Sequence, residues 1–209
     1  MFASAILGFR MRETRRTAVQ LLAASTLAMP FASVAVRRYD DRVEPIGLQL
    51  YTVRDVLGSA FDHTLARVAE IGYREVEFAG YFGRTPARVR ESLTRADLAA
   101  PSAHVTLQAL TSELPRTLDA AHAIGHRYLV LPWLDEATRR SLDDYRRVAD
   151  ALNTAANVAR DAAIRIAYHN HDFEFAPLGN VRPYDVLLQH TSGDVAYMEI
   201  GRASCRERV

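Results

Sequence analysis

The stretch Ile164-Arg-Ile-Ala-Tyr-His-Asn-His-Asp-Phe-Glu-Phe175 decides how this chain can fold. It begins as an apolar run and ends in two histidines, an asparagine and two carboxylates. Such a change is typical of a buried strand of a parallel sheet that carries polar side chains at its carboxyl end. Because side chains on a strand alternate between faces, we expect His169 and His171 to point to one side and Asn170 to the other.

Earlier parts of the chain repeat a unit in which a helix follows a strand. The predicted strands are 46–51, 74–79, 103–107, 128–133, the one that begins at 164, and 194–199, and the predicted helices are 64–71, 86–93, 114–124 and 144–163. This alternation indicates βαβ units and a parallel sheet. A doubly wound sheet would usually carry a glycine-rich phosphate-binding loop after a strand, and the sequence contains none.

Polar or aromatic side chains stand at the carboxyl ends of successive predicted strands. They are Gln49, Tyr51, Glu77, His104, Trp133, His169 and His171. This distribution is typical of a TIM barrel, whose active site lies at that face. A whole barrel needs roughly 250 residues, and residues 45–199 are too few to supply them. We therefore expect an α/β chain that forms a partial (β/α)8 TIM barrel over residues 45–199. It would contain strands one to five and the start of strand six, with an unpaired sheet edge.

Composition and charge limit the classes of protein to which the chain can belong. Hydrophobic residues make up 49% of the chain and charged residues 24%, as in ordinary globular proteins. A net charge of +1 gives no excess of basic residues of the kind that nucleic-acid-binding proteins carry. Cys205 is the single cysteine and lies in the tail, so a metal site in the barrel would use His, Asp or Glu.

Residues 1–35 resemble a twin-arginine export signal. The pair Arg15-Arg16 precedes a short apolar run rich in alanine and serine, and Ser33-Val34-Ala35 offers a cleavage site. A first helix or a membrane anchor is the other interpretation, but the run is short and broken by Pro30. We therefore expect export to the periplasm or beyond the cell, no stable membrane anchor, and a polar linker over 36–44.

The last ten residues, 200–209, have no apolar periodicity and interrupt the predicted strand at 194–199. They match the translation of a common sequencing-library adapter. We therefore expect that the native gene is cut at Glu199 in this sequence, that residues 200–209 are an artefact, and that the later strands of the barrel are missing here.

Four segments resemble sequences of the sugar phosphate isomerase/epimerase family, whose members are xylose isomerase-like TIM barrels. They are Ile46-Gly-Leu-Gln-Leu-Tyr-Thr-Val-Arg54, Val76-Glu-Phe-Ala-Gly80, Leu131-Pro-Trp133 and Tyr168-His-Asn-His-Asp-Phe-Glu-Phe175, which resemble strands one, two, four and five. The resemblance implies one divalent metal (Mn, Mg, Co or Zn), held by ligands from strands five to eight. It also implies an enzyme that shifts a carbonyl or inverts a carbon next to one.

The resemblance also suggests a metal ligand. Where relatives carry Glu-Asn-His on strand five, this chain has His169-Asn170-His171, so His169 stands at the first ligand position as an imidazole. The strand-six ligand falls where the adapter sequence begins, and the ligands of strands seven and eight are absent. We therefore expect this fragment to be inactive.

Proton transfer beside a sugar carbonyl needs a base, an acid and stabilisation of the enediolate oxygen. The candidate catalytic residues are Glu77 and His171. The candidate substrate-binding residues are Gln49, Tyr51, His104, Trp133 and Asn170. Other roles remain open: a salt-bridged rim residue for Glu77, a satisfied buried imidazole for His104 and a core aromatic for Trp133. Glu174 would orient an imidazole or cap the loop, and surface positions are expected for His63, His122, His126 and His190.

The predicted function of the complete protein is a metal-dependent sugar or sugar phosphate isomerase or epimerase. Its partner would be a small carbohydrate and not nucleic acid, and the oligomeric state is left open. Two alternatives remain: a carbohydrate-binding barrel without catalysis, and a phosphodiesterase similar to endonuclease IV. The first would lack a bound metal, and the second would bind abasic DNA.

Overall fold

The computed structural model of the protein describes residues 46–198. The predicted export signal at 1–35, the predicted linker at 36–44, and the tail at 200–209 that is predicted to derive from an adapter lie, with Glu199, outside the described residues. Over the part of the chain that is described, no helix is long and apolar enough to cross a membrane.

Six strands form one parallel sheet whose strand order follows the order of the chain. Each strand pairs in parallel with the next, which is the topology of a TIM barrel. Within residues 46–198, the first and last strands are the edges of the sheet, so the predicted partial barrel is confirmed. The strands are β1 (Gly47–Gln49), β2 (Glu75–Phe78), β3 (Ala99–His104), β4 (Tyr128–Leu131), β5 (Arg165–His169) and β6 (Val195–Met198).

Helices connect consecutive strands, as the sequence pattern predicts. They are α1 (Arg54–Ile71), α2 (Pro86–Ala96), α3 (Leu107–Thr111), α4 (Leu114–Ile124), α5 (Leu142–Asp161) and α6 (Pro183–His190), with short 3-10 turns at Leu50–Val53, Glu136–Thr138 and Phe173–Phe175. The prediction for α4 is confirmed over its whole length, whereas α3 and α6 were not predicted. Helix α5 begins at a capping box, in which Ser141 and Asp144 satisfy each other's backbone N–H groups.

The third strand lies earlier than the predicted segment 103–107. Strand β3 spans Ala99–His104, and its register against β2 shifts between Glu75 and Glu77. Pro101 lies within this irregularity, where its missing N–H group costs no regular ladder hydrogen bond. The predicted bounds were wrong because the local pattern of residues 103–107 does not reveal that a strand can begin before Pro101 at a register shift. The shift makes His104 the last residue of β3.

Apolar side chains on the helix-facing side of the sheet form the core. One cluster packs β4, β5 and β6 against α4, α5 and α6, and a second packs β1, β2 and β3 against α1 and α2. Ile166 and Tyr168 belong to the first cluster, while Ala167 lies in a small cluster on the inner side of the sheet. Side-chain alternation therefore places His169 on the inner side as well.

Candidate active site

Four polar side chains share the inner face of the sheet near the carboxyl ends of their strands. The chain neighbour of each of these residues packs into the core on the helix-facing side of the sheet, as Phe78 does next to Glu77. Because faces alternate along a strand, the polar neighbours point into the barrel. They are Gln49 on β1, Glu77 on β2, His104 on β3 and His169 on β5.

The first three of these residues form a chain of contacts across three neighbouring strands. Gln49 Oε1 accepts a hydrogen bond from the backbone N–H of Tyr51, so the amide nitrogen faces His104. Gln49 Nε2 lies 3.2 Å from His104 Nδ1 and donates to it. The proton of a neutral His104 ring is therefore on Nε2, which lies 2.8 Å from Glu77 Oε1.

Ser102 completes this chain, and the sequence analysis missed it. Its hydroxyl donates to Glu77 Oε2 at 2.6 Å. Burial raises the pKa of the Glu77 carboxyl, but the contacts with His104 and Ser102 outweigh burial, and the pKa lies below its ordinary value. Glu77 is therefore held as a buried carboxylate. Correct placement of β3 would have revealed Ser102, because it lies two residues before His104 on the same face.

The histidines of the motif on β5 continue the polar cluster. The rings of His104 and His169 are 5.4 Å apart between centroids, and those of His169 and His171 are 5.1 Å apart. Burial, with the neighbouring rings of His104 and His171, lowers the pKa of His169 to about 4. The imidazole of His169 is therefore neutral at neutral pH. Strand β5 ends at His169, so a loop and not strand geometry positions His171.

A buried carboxylate anchors that loop. Glu174 is fully buried and accepts a hydrogen bond from Tyr168 Oη at 2.5 Å and another from the backbone N–H of His171 at 2.8 Å. Burial raises the pKa of the Glu174 carboxyl despite these donors. Of the two roles suggested by the sequence, the structure favours the second: Glu174 fixes the loop backbone and holds no imidazole ring.

A cleft of about 550 Å³ opens at the same end of the sheet. Tyr51, His104 and Trp133 line it, so three of the predicted substrate-binding residues meet there. Trp133 is 48% exposed and is not a core residue. Its ring contacts those of His171 and Phe173 edge to face, at 5.0 and 5.2 Å between centroids.

Asn170 and His126 lie away from the cleft lining. Asn170 is buried, and its Oδ1 atom has no hydrogen-bond partner among the described residues. His126 is also buried, which corrects the predicted surface position. Its Nδ1 atom donates to the carbonyl of Ala100, and its Nε2 accepts from Tyr81 Oη. Local sequence did not reveal these partners, whereas His63, His122 and His190 are exposed as expected.

His169 provides an atom that suits a metal ion. His169 Nδ1 is buried without a hydrogen-bond partner, and a neutral imidazole is the form that binds metals. Within residues 46–198, however, no group of three His, Cys, Asp or Glu side chains could hold a metal ion. Residues 46–198 therefore do not form a complete metal site.

Comparison with known proteins agrees with this fold. The sequence profile of the xylose isomerase-like TIM barrel matches residues 65–191. The chain therefore belongs to the xylose isomerase-like TIM barrel family. No curated protein sequence matches it significantly.

Several solved structures share the fold. A sugar phosphate isomerase/epimerase from Parabacteroides distasonis has a TM-score of 0.63 and 23% identity, over 73% of this chain and 64% of its own. An L-ribulose 3-epimerase has a TM-score of 0.52 and 15% identity, over 73% and 59%. The IOLI protein, solved with a zinc atom, has a TM-score of 0.54 and 12% identity, over 71% and 60%. The chain thus spans less than two thirds of the length of each.

Proposed function

We propose that the complete protein is a sugar isomerase or epimerase that moves a proton on a carbon next to a carbonyl group. The observation that carries this proposal is the Glu77 carboxylate, which is buried 2.8 Å from Nε2 of His104, a residue that lines the cleft. A carboxylate in this position is a base that remains ionised at neutral pH. The half-exposed ring of Trp133 offers an apolar face to the sugar.

In the proposed reaction, a substrate C–H bond breaks and its proton passes to the Glu77 carboxylate. The electron pair of that bond forms the double bond of an enediolate. His171, which lies against Trp133, is the second acid/base group. In epimerisation it returns a proton to the opposite face of the same carbon as the carbonyl re-forms. In isomerisation it protonates the neighbouring carbon, while the hydroxyl proton of the enediolate passes to the former carbonyl oxygen and the new carbonyl forms. Gln49 and His104 position Glu77, and Tyr51 contacts the sugar at the mouth of the cleft.

We also propose that the complete protein binds a divalent metal, with His169 among its ligands. A bound Mn, Mg, Co or Zn ion would stabilise a developing oxyanion as a Lewis acid. Elemental analysis of the purified complete protein tests this part: one metal per chain is expected, together with a loss of metal in His169→Ala. A full metal content in His169→Ala would exclude His169 as a ligand.

Exchange of substrate hydrogen with solvent tests the reaction directly. In D2O, the complete protein should introduce deuterium next to the carbonyl of a ketose or aldose, detected by NMR. Glu77→Gln should lower the exchange rate at least a hundredfold, about the contribution of a general base. Glu75→Gln, on the same strand, is the matched control and should retain the rate. Equal rates in both variants would exclude Glu77 as the base.

We further propose that the 209-residue chain is itself inactive, since its described sheet is open between β1 and β6. Resequencing the genomic locus across codons 190–209 should reveal a reading frame that continues past Glu199. The continued protein should catalyse exchange, and the 209-residue chain should not. Exchange by the 209-residue chain would contradict this proposal.

A carbohydrate-binding barrel without catalysis is the second candidate. The half-exposed Trp133 in the cleft favours it. Sugar binding without deuterium exchange and without metal in the complete protein would establish this alternative.

Export by the twin-arginine route is proposed from the sequence of residues 1–35. Residues 1–44 fused to a folded reporter should direct it to the periplasm. Replacing Arg15 and Arg16 with lysine should retain the reporter in the cytoplasm. Unchanged export of that variant would contradict the proposal.

A further inference from the structure

Arg139 is a cation beside the candidate active site that forms no salt bridge within residues 46–198, although the charge of Glu174 acts on it. Its guanidinium carbon lies 3.8 Å from the ring centroid of Phe173 and 5.3 Å from that of Trp133. These two aromatic rings, with His171 against both, hold the guanidinium at the junction of β4 and β5. Such stacking stabilises a cation without using its N–H groups.

The hydrogen-bonding capacity of Arg139 remains unused within residues 46–198. Its Nε atom is buried and has no hydrogen-bond partner there. Glu174 is the neighbouring carboxylate whose charge interacts with Arg139, but its oxygens accept from Tyr168 and from the backbone of His171. A guanidinium presents its donors in a planar fork that matches the oxygens of a carboxylate or phosphate.

We propose that Arg139 binds an oxyanion of the substrate, so that the preferred substrate is an acidic sugar, either a sugar carboxylate or a phosphate ester. Trp133 lines the cleft, and Arg139 lies over its ring, next to the lining residue Thr138. Arg139 does not itself line the cleft, but its guanidinium carbon lies 5.3 Å from the ring centroid of Trp133, so a sugar packed on that ring would bring an anionic substituent close to it. This inference rests on the proposed function, whose substrate class it narrows.

Trp133 provides a direct measurement, because it is the single tryptophan of the chain and lies against Arg139. Its fluorescence in the full chain is titrated with inorganic phosphate, with gluconate and with the neutral polyol sorbitol, at constant ionic strength. A saturable change is expected with phosphate, with gluconate or with both, and not with sorbitol. A response to gluconate alone identifies a carboxylate as the ligand, a response to phosphate alone identifies a phosphate ester, and a response to both identifies an oxyanion site that accepts either group.

Variants of two neighbouring arginines make the measurement specific. Arg139→Gln should raise the midpoint at least about tenfold, the effect of losing a charge-assisted hydrogen bond. Arg140→Gln removes the same charge from an exposed neighbour and should change the midpoint less than about twofold. Arg139→Lys keeps the charge and the fold but loses the planar fork, and an intermediate midpoint is expected.

The inference is overturned if Arg139→Gln and Arg140→Gln titrate alike, if Arg139→Lys binds as the unchanged chain does, or if sorbitol produces the same response as gluconate. Absence of a saturable response to either anion also overturns it. Because fluorescence reports binding and not turnover, anion binding by the complete protein without deuterium exchange in that same protein would refute the proposed reaction and leave the oxyanion site standing.

Discussion

His104 Nε2 lies 2.8 Å from Glu77 Oε1, between neighbouring strands of the parallel sheet. The side chains of His104 and Glu77 are only 14% and 7% exposed. The orientation of the Gln49 amide places the proton of the His104 ring on the side of Glu77. The buried carboxylate of Glu77 is thus stabilised by contacts with protein groups and not by water.

Glu77→Gln should destabilise the fold, because it removes the charge that faces His104 and leaves the acceptor of Ser102 weakened. At pH 7 we expect a loss of roughly 3 kcal/mol in the free energy of unfolding, the usual result of breaking a buried pair. Urea unfolding monitored by circular dichroism measures this loss. Glu75→Gln is the control and should change stability little.

The stabilisation from Glu77 should also depend on pH. Its folded-state pKa lies below the ordinary value of 4.5, so the unfolded chain binds this proton at higher pH than the folded chain does. The contribution is therefore fully present above about pH 4.5 and is lost as the pH falls through the folded-state pKa. The stability of Glu77→Gln should vary less with pH below 4.5 than that of the unchanged chain.

His169 should produce a separate loss of stability at higher pH. Its pKa falls from an ordinary value of 6.5 to about 4 in the fold, so between these values only the unfolded chain binds the proton. Lowering the pH through this window should cost up to about 3 kcal/mol, with no further loss from His169 below pH 4. Unfolding by urea from pH 7.5 to 4 should show this step, and His169→Gln should lack it. An identical pH profile in the variant would contradict the assignment.

Glu174→Ala should be more destabilising than replacement of an exposed carboxylate. It leaves Tyr168 Oη and the backbone N–H of His171 without an acceptor in a buried position. The expected loss is about 2 to 4 kcal/mol, measured by urea unfolding. Glu136→Ala, at an exposed position, is the matched control and should remain within about 0.5 kcal/mol of the unchanged chain.

Trp133→Ala should weaken sugar binding to the complete protein, because the exposed ring provides the apolar wall of the cleft. We expect the dissociation constant measured by calorimetry to rise about tenfold, as for the loss of one aromatic contact. Phe175→Ala removes another partly exposed ring outside the cleft lining and should leave the constant unchanged. Equal affinities of the two variants would exclude Trp133 from the sugar site.

Local patterns were sufficient to predict most of the architecture. Helix α4 follows its predicted bounds, and β5 ends in the predicted histidine motif, because apolar periodicity is a property of neighbouring residues. The shift of β3 was not predictable in this way. It depends on how Pro101 is accommodated in the register against β2, which is a relation between strands.

The residues of the candidate site were also only partly predictable from the sequence. The residues at strand ends were identified because a barrel collects them at one face. Ser102 and Arg139 were missed, since neither belongs to a recognisable motif and each acquires its role from distant partners. The burial of His126 likewise follows from Tyr81 and Ala100, which lie far away in the sequence.

By itself, the sequence determined the alternation of strands and helices, the family, and the polar residues at the carboxyl ends of the strands, because these are encoded by periodicity and short motifs. Only the tertiary structure decided which side chains meet. Strand register brings Ser102 and His104 to Glu77, loop closure brings His171 to Trp133, and stacking leaves the donors of Arg139 unused. These contacts join residues far apart in the chain, and their geometry exists only when the sheet is assembled.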